Sequence, residues 1–264
     1  MARSIHPTAI VSPGAELADG VEIGPYSIIG ENVKIGEDTK IGSGVSIQGW
    51  TKIGKRCHIF QGTVIGTPAQ DVHYKGGKSS VEIGDDNLIR EYVTIHRGTG
   101  EESITHIGNN NFIMAYSHIA HNCWVGNRVV IANMGTLAGY VRVEDRAVIG
   151  GLAAVHQYVR IGTCAMIGGC TKVIKDIPPF TLANGNPASL WGLNVVGLRR
   201  AGFPSRTRRY LSKAYKILFR SGLNTSQALK KIENELEGIP EIEYLCNFIR
   251  SSKRGICKEG AKQH

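Results

Sequence analysis

The decapeptide HIAHNCWVGN places His118 and His121 on either side of Ile119. Histidine is the side chain best suited to act as a general base near neutral pH. Gly139 lies 18 residues beyond His121 and Gln157 lies 36 beyond it. If the chain winds with an 18-residue coil, the three stack in one column: an imidazole, a glycine backbone and an amide. A glycine N–H one coil from the base suits an oxyanion, because a reacting group can approach closely where there is no side chain. The competing reading makes His121 a solvated histidine, or one buried between subunits.

A coil of that length is written into the rest of the chain. Apolar residues recur every six positions from Val11 through Leu17, Ile23 and Ile29 to Ile65. They resume at Ile83, Ile89 and Ile95, and run again from Ile107 to Val173. A helix needs a period near 3.6 and a strand one near 2, so the register points to hexapeptide turns of a parallel β-helix, with three turns to a coil. An antiparallel sandwich would need irregular spacing and hairpin turns. The resemblance to hexapeptide-repeat proteins further suggests a left-handed helix, which the spacing itself does not show. Gly makes up 33 of the 264 residues and often follows the inward residue, at a corner where unusual φ/ψ is expected.

The fold class expected is therefore mainly β, a left-handed parallel β-helix over residues 1–188, followed by a helical domain over 189–264. Two stretches without the register, about 67–80 and 98–105, read as extruded loops, where binding groups tend to sit. KDIPPF should end the ladder, since paired prolines cannot continue it. Leu190, Leu193, Val196 and Leu198 are spaced as one helix face. SRTRRYLSKAYKILFRSG repeats that spacing, Thr225 can cap a third helix, and Pro240 suits the first turn of a fourth. The tail from Lys253 to His264 reads as loose.

The net charge is +9, and from Arg199 to Arg220 eight basic residues occur with no acid. Such a face attracts a nucleic acid, a phosphorylated small molecule or an acidic carrier protein. Six cysteines without a CxxC pair, and a start without an apolar core, fit a reducing cytoplasm with free thiols. No apolar run approaches the roughly 20 residues a bilayer needs.

QDVHYKGG, VTIHRGT, HIAHNCWVGN, AVHQYVRIG, the IGG at 167–169, DIPPF and GLNVVGLRRAGF together resemble the UDP-N-acetylglucosamine 3-O-acyltransferases of lipid A synthesis. The resemblance implies transfer of an acyl group, commonly (R)-3-hydroxyacyl, from acyl carrier protein to the sugar 3-hydroxyl. It implies a cytoplasmic homotrimer with sites between subunits. The partners would be acyl carrier protein and UDP-N-acetylglucosamine, with no nucleic acid and no membrane span. No metal or cofactor is expected beyond the carrier's phosphopantetheine. By position, His121 matches the general base and Gly139 the backbone donor to the oxyanion. Gln70 and Asp71 match the loop that grips the sugar, His96, His118, His156 and Gln157 the polar lining, and Asn194 and Arg200 the nucleotide contacts. Gly169, with Met166, falls where acyl length is set. The basic stretch would meet the carrier and the nucleotide phosphates.

The chain departs from the family pattern at several places. His73 replaces a lysine, Val196 a glutamate and Ala201 an arginine, while Tyr140 replaces a histidine. Asn122 follows the base where some members carry aspartate, which leaves open what orients His121. These departures keep alive an acyltransferase acting on a 3-amino sugar nucleotide. A γ-type carbonic anhydrase would instead cast His96, His118 and His121 as zinc ligands. It would have no use for QDVHYKGG or for helices rich in arginine. A non-catalytic scaffold would need neither the polar column nor the capping domain.

Overall fold

The structure, a computed structural model, describes residues 2–260. Short strands, most of two residues, stack into three flat faces of eleven, nine and eight strands. All rungs of the helix are parallel, and the chain forms a left-handed β-helix. The first face includes Phe112–Ile113, Val130–Ile131 and Met166–Ile167; the second His118–Ile119, Thr136–Leu137 and Ala154–Val155; the third Trp124–Val125, Arg142–Val143 and Arg160–Ile161. In the unbroken stretches the register advances 18 residues per coil, as in Ile119 on Leu137 and Leu137 on Val155. The inward residues form the core, with Ile29, Ile47, Ile65, Ile95, Ile119 and Ile131 fully buried.

The two loops lengthen a coil without breaking the ladder. Ile65 pairs with Ile95 and Ile95 with Ile119, steps of 30 and 24 residues. The loops also grip each other. Ser79 Oγ donates to the Gly98 carbonyl at 2.6 Å, and the Ser80 N–H to the Ser103 carbonyl at 2.9 Å.

The glycines serve a different purpose from the one expected. Of those that follow an inward residue, only Gly66 has a positive φ. The rest lie against the next coil, as at Gly36, where a Cβ would come within 2.6 Å of the Gly54 carbonyl carbon. The left-handed corner positions are instead filled by residues such as Asp38, Asn122, Tyr140 and Tyr158.

Near residue 180 the structure corrects three expectations. The prolines of KDIPPF turn a corner but do not stop the ladder, because Thr181–Asn184 pairs in parallel with Met166–Ile167. Residues Ser189–Leu193 form an antiparallel strand against it where a helix was expected. Leu190 is buried in the β-helix core and Gly192 adopts a φ of 137° that a helix cannot hold. The first helix, α1 (Val195–Arg200), begins only after Asn194, whose side chain caps it.

Three further helices, α2 (Ser205–Arg220), α3 (Thr225–Glu235) and α4 (Pro240–Arg250), close a second core around Leu211, Leu218, Ile232 and Leu245. Pro240 stands in the first turn of α4, but α3 is capped by Asn224 in a capping box with Gln227, not by Thr225. The tail is not loose up to residue 260. Ile256 and Cys257 are buried, and the Cys257 N–H donates to the Asp176 carbonyl at 2.8 Å. Residues 261–264 of that tail lie outside the described residues. No helix among the described residues is long and apolar enough to cross a membrane.

Candidate active site

The prism has three corner edges, and His121 sits on the one between the second and third faces. Gly139 and Gln157 occupy the same edge one and two coils on. The Tyr140 N–H donates to the His121 carbonyl and the Tyr158 N–H to the Gly139 carbonyl, both at 3.1 Å. The expected column is thus built by the backbone ladder itself.

The His121 ring is almost buried, and Nδ1 lies 2.9 Å from Asn122 Oδ1. Thr99, from the second loop, aims its N–H at the same Asn122 atom at 3.0 Å, and its Oγ lies 3.1 Å away. A backbone N–H can only donate, so that atom is the amide oxygen, and Nδ1 must carry hydrogen to bond with it. In the neutral ring Nε2 then keeps its lone pair, as a general base requires. Thr99 Oγ also lies 3.1 Å from the Tyr140 hydroxyl, and the Tyr140 ring stands edge-on to His121 at 5.4 Å.

Nε2 faces two groups. A Cβ on Gly139 would lie 2.6 Å from it and 2.4 Å from Cε1, so the ring is packed onto the glycine backbone. The Gly139 N–H has no acceptor among the described residues. On the other side Asp71 Oδ2 lies 3.8 Å away, beyond hydrogen-bond reach but within ion-pair distance if Nε2 is protonated. Asp71 is set by its own loop, where Oδ1 accepts from the His73 N–H at 2.9 Å. The side chains of Gln70 and His73 are exposed.

His96 and His118 form an uncharged wall beside the base. Their rings meet edge-on at 5.2 Å. His118 Nδ1 lies 2.7 Å from Thr94 Oγ, and burial, with the charges of His96 and His121, pushes its pKa down to about 4. Burial also lowers His96, against the Pro68 carbonyl that accepts from its Nδ1 at 2.8 Å. Each of the three histidines directs Nδ1 to a different protein partner. No group of three or more His, Cys, Asp or Glu among the described residues is arranged to hold a metal.

The remaining expected residues lie elsewhere. His156 and Gln157 are exposed two coils above the base. Gly169 is on the edge between the first and second faces, and Met166 is on the first face. Asn194 and Arg200 are on the third edge, lining a cleft of about 440 Å³ with Arg128 and Arg146. Asn194 Nδ2 donates to the Cys164 carbonyl at 3.0 Å, while its Oδ1 caps α1. One chain therefore does not bring Gly169, Met166, Asn194 or Arg200 to its own His121. Thr99 and Thr94 were missed in the sequence. Only the fold-back of the second loop over the corner reveals Thr99, and no spacing signals it.

A β-helix of hexapeptide turns, with a histidine whose free nitrogen is packed on a glycine backbone, defines a hexapeptide acyltransferase. Residues 32–67 and 104–139 match the model for bacterial transferase hexapeptide repeats, and residues 176–257 match domain 2 of UDP-N-acetylglucosamine O-acyltransferase. The chain is 56% identical to the acyl-(acyl-carrier-protein)–UDP-N-acetylglucosamine O-acyltransferase of Thermodesulfovibrio yellowstonii, over 97% of this chain and all of that one. It is 50% identical to that of Syntrophobacter fumaroxidans, over 96% of this chain and 99% of that one. The solved UDP-N-acetylglucosamine acyltransferase of Campylobacter jejuni superposes with a TM-score of 0.92 at 41% identity, covering 97% of this chain and all of that chain. The chain belongs to the acyl-(acyl-carrier-protein)–UDP-N-acetylglucosamine O-acyltransferase family.

Proposed function

We propose that this protein transfers a fatty acyl group from acyl carrier protein to the 3-hydroxyl of UDP-N-acetylglucosamine, the first step of lipid A synthesis. The observation that carries the mechanism is the tether from Thr99 through Asn122 to His121 Nδ1, which leaves Nε2 free beside Gly139. Nε2 takes the proton of the sugar hydroxyl as its oxygen attacks the thioester carbonyl. The carbonyl oxygen gains charge beside the Gly139 N–H. The new C–O bond then holds as the C–S bond breaks, and His121 returns the proton to the departing thiolate. Asp71 stabilises the transient imidazolium across 3.8 Å. Neutral His96 and His118 line the cleft without adding charge, and the acyl donor brings its own phosphopantetheine, so no further cofactor is invoked.

The active form is a homotrimer, and two features support it. The edge between the first and second faces carries exposed Tyr26, Tyr92, Tyr116, Met134 and Leu152, an apolar line that a second copy would cover. In addition, the groups expected to read the nucleotide and the acyl chain lie on other edges from His121, so a neighbour must supply them. Buried reduced thiols, at Cys57, Cys123, Cys164, Cys246 and Cys257, fit a cytoplasmic address.

The test combines purified protein, UDP-N-acetylglucosamine and acyl carrier thioesters of graded length, with and without a 3-hydroxyl, read by mass spectrometry. An O-acylated sugar nucleotide is expected. No product from this acceptor, with acylation of a 3-amino analogue, would overturn the assignment and give His73 a new meaning.

A further inference from the structure

The outward side of the third face differs from the other two. Its column runs Glu16, Lys34, Lys52, Glu82, His106, Trp124, Arg142 and Arg160, charged or polar throughout apart from the tryptophan. The first face presents Glu22, Lys40 and His58 outward in its lower part but Phe112, Val130, Val148 and Met166 above them, and the second mixes Ile10, Ile28, Val64 and Ala154 with Ser46, Thr94, His118, Thr136 and Lys172. Copies of the chain should therefore cover the first two faces and leave the third in solvent.

At the upper end of that free face lies a cavity of about 900 Å³, walled by the third face and by the tail beyond α4. Asn122 and Tyr140, the two residues that hold His121, form one end of it. Trp124, Tyr140 and Tyr158 give it aromatic walls, the two tyrosines stacked at 4.7 Å. From there it climbs two coils, about 10 Å at the spacing of paired strands, past Arg142 and Arg160 to Lys253 and Arg254.

Its acids are already engaged. Glu144 accepts from Tyr244 and from the Thr163 N–H, and Asp176 accepts from the Arg160 N–H at 2.9 Å and from Ser252 Oγ at 2.8 Å. Arg160 is held over Phe248 and against Glu144. Arg142 and Lys253, in contrast, are exposed, and neither has an ion pair or hydrogen-bond partner among the described residues. Two free cations over aromatic walls, in a groove that ends at the asparagine and tyrosine packed against His121, suit an acidic partner that must bring a reactive group to that edge.

We propose that the acidic face of the acyl carrier protein docks on this groove, and that its prosthetic arm reaches from there over the His121 edge to the side where Nε2 faces Gly139 and Asp71. The proposal rests on the acyltransfer reading above, and it moves the docking surface away from the basic stretch on α2 that composition alone suggests. Exposed Arg209 and Lys216 of α2 serve as the comparison.

The experiment measures steady-state kinetics of Arg142→Glu/Lys253→Glu and of Arg209→Glu/Lys216→Glu, each with acyl carrier protein and with the matching acyl-pantetheine as donors. The groove variant should raise KM for the carrier about tenfold, with kcat and the acyl-pantetheine kinetics unchanged and the difference shrinking in high salt. An unchanged carrier KM, the same effect from the α2 variant alone, or equal losses with both donors would overturn the proposal. Holo carrier binding, followed by fluorescence anisotropy, decides docking by itself: the groove variant should lose affinity. A wild-type protein that binds the carrier but acylates no UDP-N-acetylglucosamine would refute the acyltransfer reading instead.

Discussion

Replacing Gly139 with alanine adds one methyl to the most crowded point of the site. The new Cβ would lie 2.4 Å from His121 Cε1, 2.6 Å from Nε2 and 3.1 Å from Nδ1. Non-bonded carbons settle near 3.5–4.0 Å, so the ring must retreat by about 1 Å. It cannot do so freely, because Nδ1 is held at 2.9 Å by Asn122, which Thr99 fixes in turn. A displacement of about 1 Å in a reacting group costs on the order of 10²-fold. Gly139 does not occupy the left-handed region, so alanine strains no backbone, and the peptide N–H remains. The expected outcome is kcat down about 10²-fold with the oligomer intact and stability lowered by only about 1–3 kcal/mol. Turnover within about threefold of wild type would refute the packing argument. Gly139→Ala and His121→Ala should also be non-additive, since neighbours that share a contact couple. In a His121→Ala background, Gly139→Ala should cost almost nothing further, because the ring it strikes is gone.

Thr99→Val keeps the backbone N–H but removes the hydroxyl between Asn122 and Tyr140. Loss of one such hydrogen bond is worth about 1 kcal/mol, so kcat should fall several-fold, and Thr99→Ser should restore it. Asn122→Asp places a carboxylate on Nδ1, which favours imidazolium, so the acid limb of the kcat/KM profile should move to higher pH. An unmoved limb would show that the limb does not report His121. The lowered pKa values of His118 and His96 make stability pH-dependent. The unfolded chain binds protons first, near pH 6.5, while folded His118 resists until about pH 4. This contribution is therefore fully present above about pH 6.5 and is lost as pH falls toward 4. Melting temperature should drop across that window, and His118→Gln should flatten the drop. At Gly169 a Cβ meets only the Gly151 carbonyl, at 3.2 Å. Gly169→Met should therefore be tolerated and shorten the preferred acyl chain; an unchanged profile would place the chain-length limit elsewhere.

The β-helix was legible because its period is arithmetic. Each inward isoleucine pairs with its equivalent a coil away, so a residue such as Leu137 announces its place by position alone. The column His121, Gly139, Gln157 followed from the same arithmetic. Where tertiary contacts override local pattern, the sequence misleads. Leu190 and Leu193 carry helical spacing, but the open end of the first face needed a pairing strand, and Leu190 was drawn into that core. The tail beyond Lys253 looks polar, yet Ile256 and Cys257 seal the junction by pairing with Asp176. The corner glycines invited an argument from φ, whereas most are there because successive coils nearly touch. Thr99 was invisible for a different reason: its role depends on how an irregular loop folds back, and loop conformation leaves no period to read.

The asparagine at 122 changes how charge is handled in this site. Some members of the family have an acid beside the base, and an acid can orient the ring and also neutralise the imidazolium. Asn122 can only orient it. The carboxylate within ion-pair distance of His121 is Asp71, at 3.8 Å, and it comes from the first loop, not from the coil that carries the base. In the proposed mechanism, orientation and charge compensation thus fall to two separate loops: Thr99 in the second fixes the tautomer, and Asp71 in the first would meet the proton. Those loops are joined through Ser79 and Gly98. Gly98 immediately precedes Thr99, so Ser79→Ala, which removes that hydrogen bond, should lower kcat several-fold in steady-state kinetics with His121 untouched.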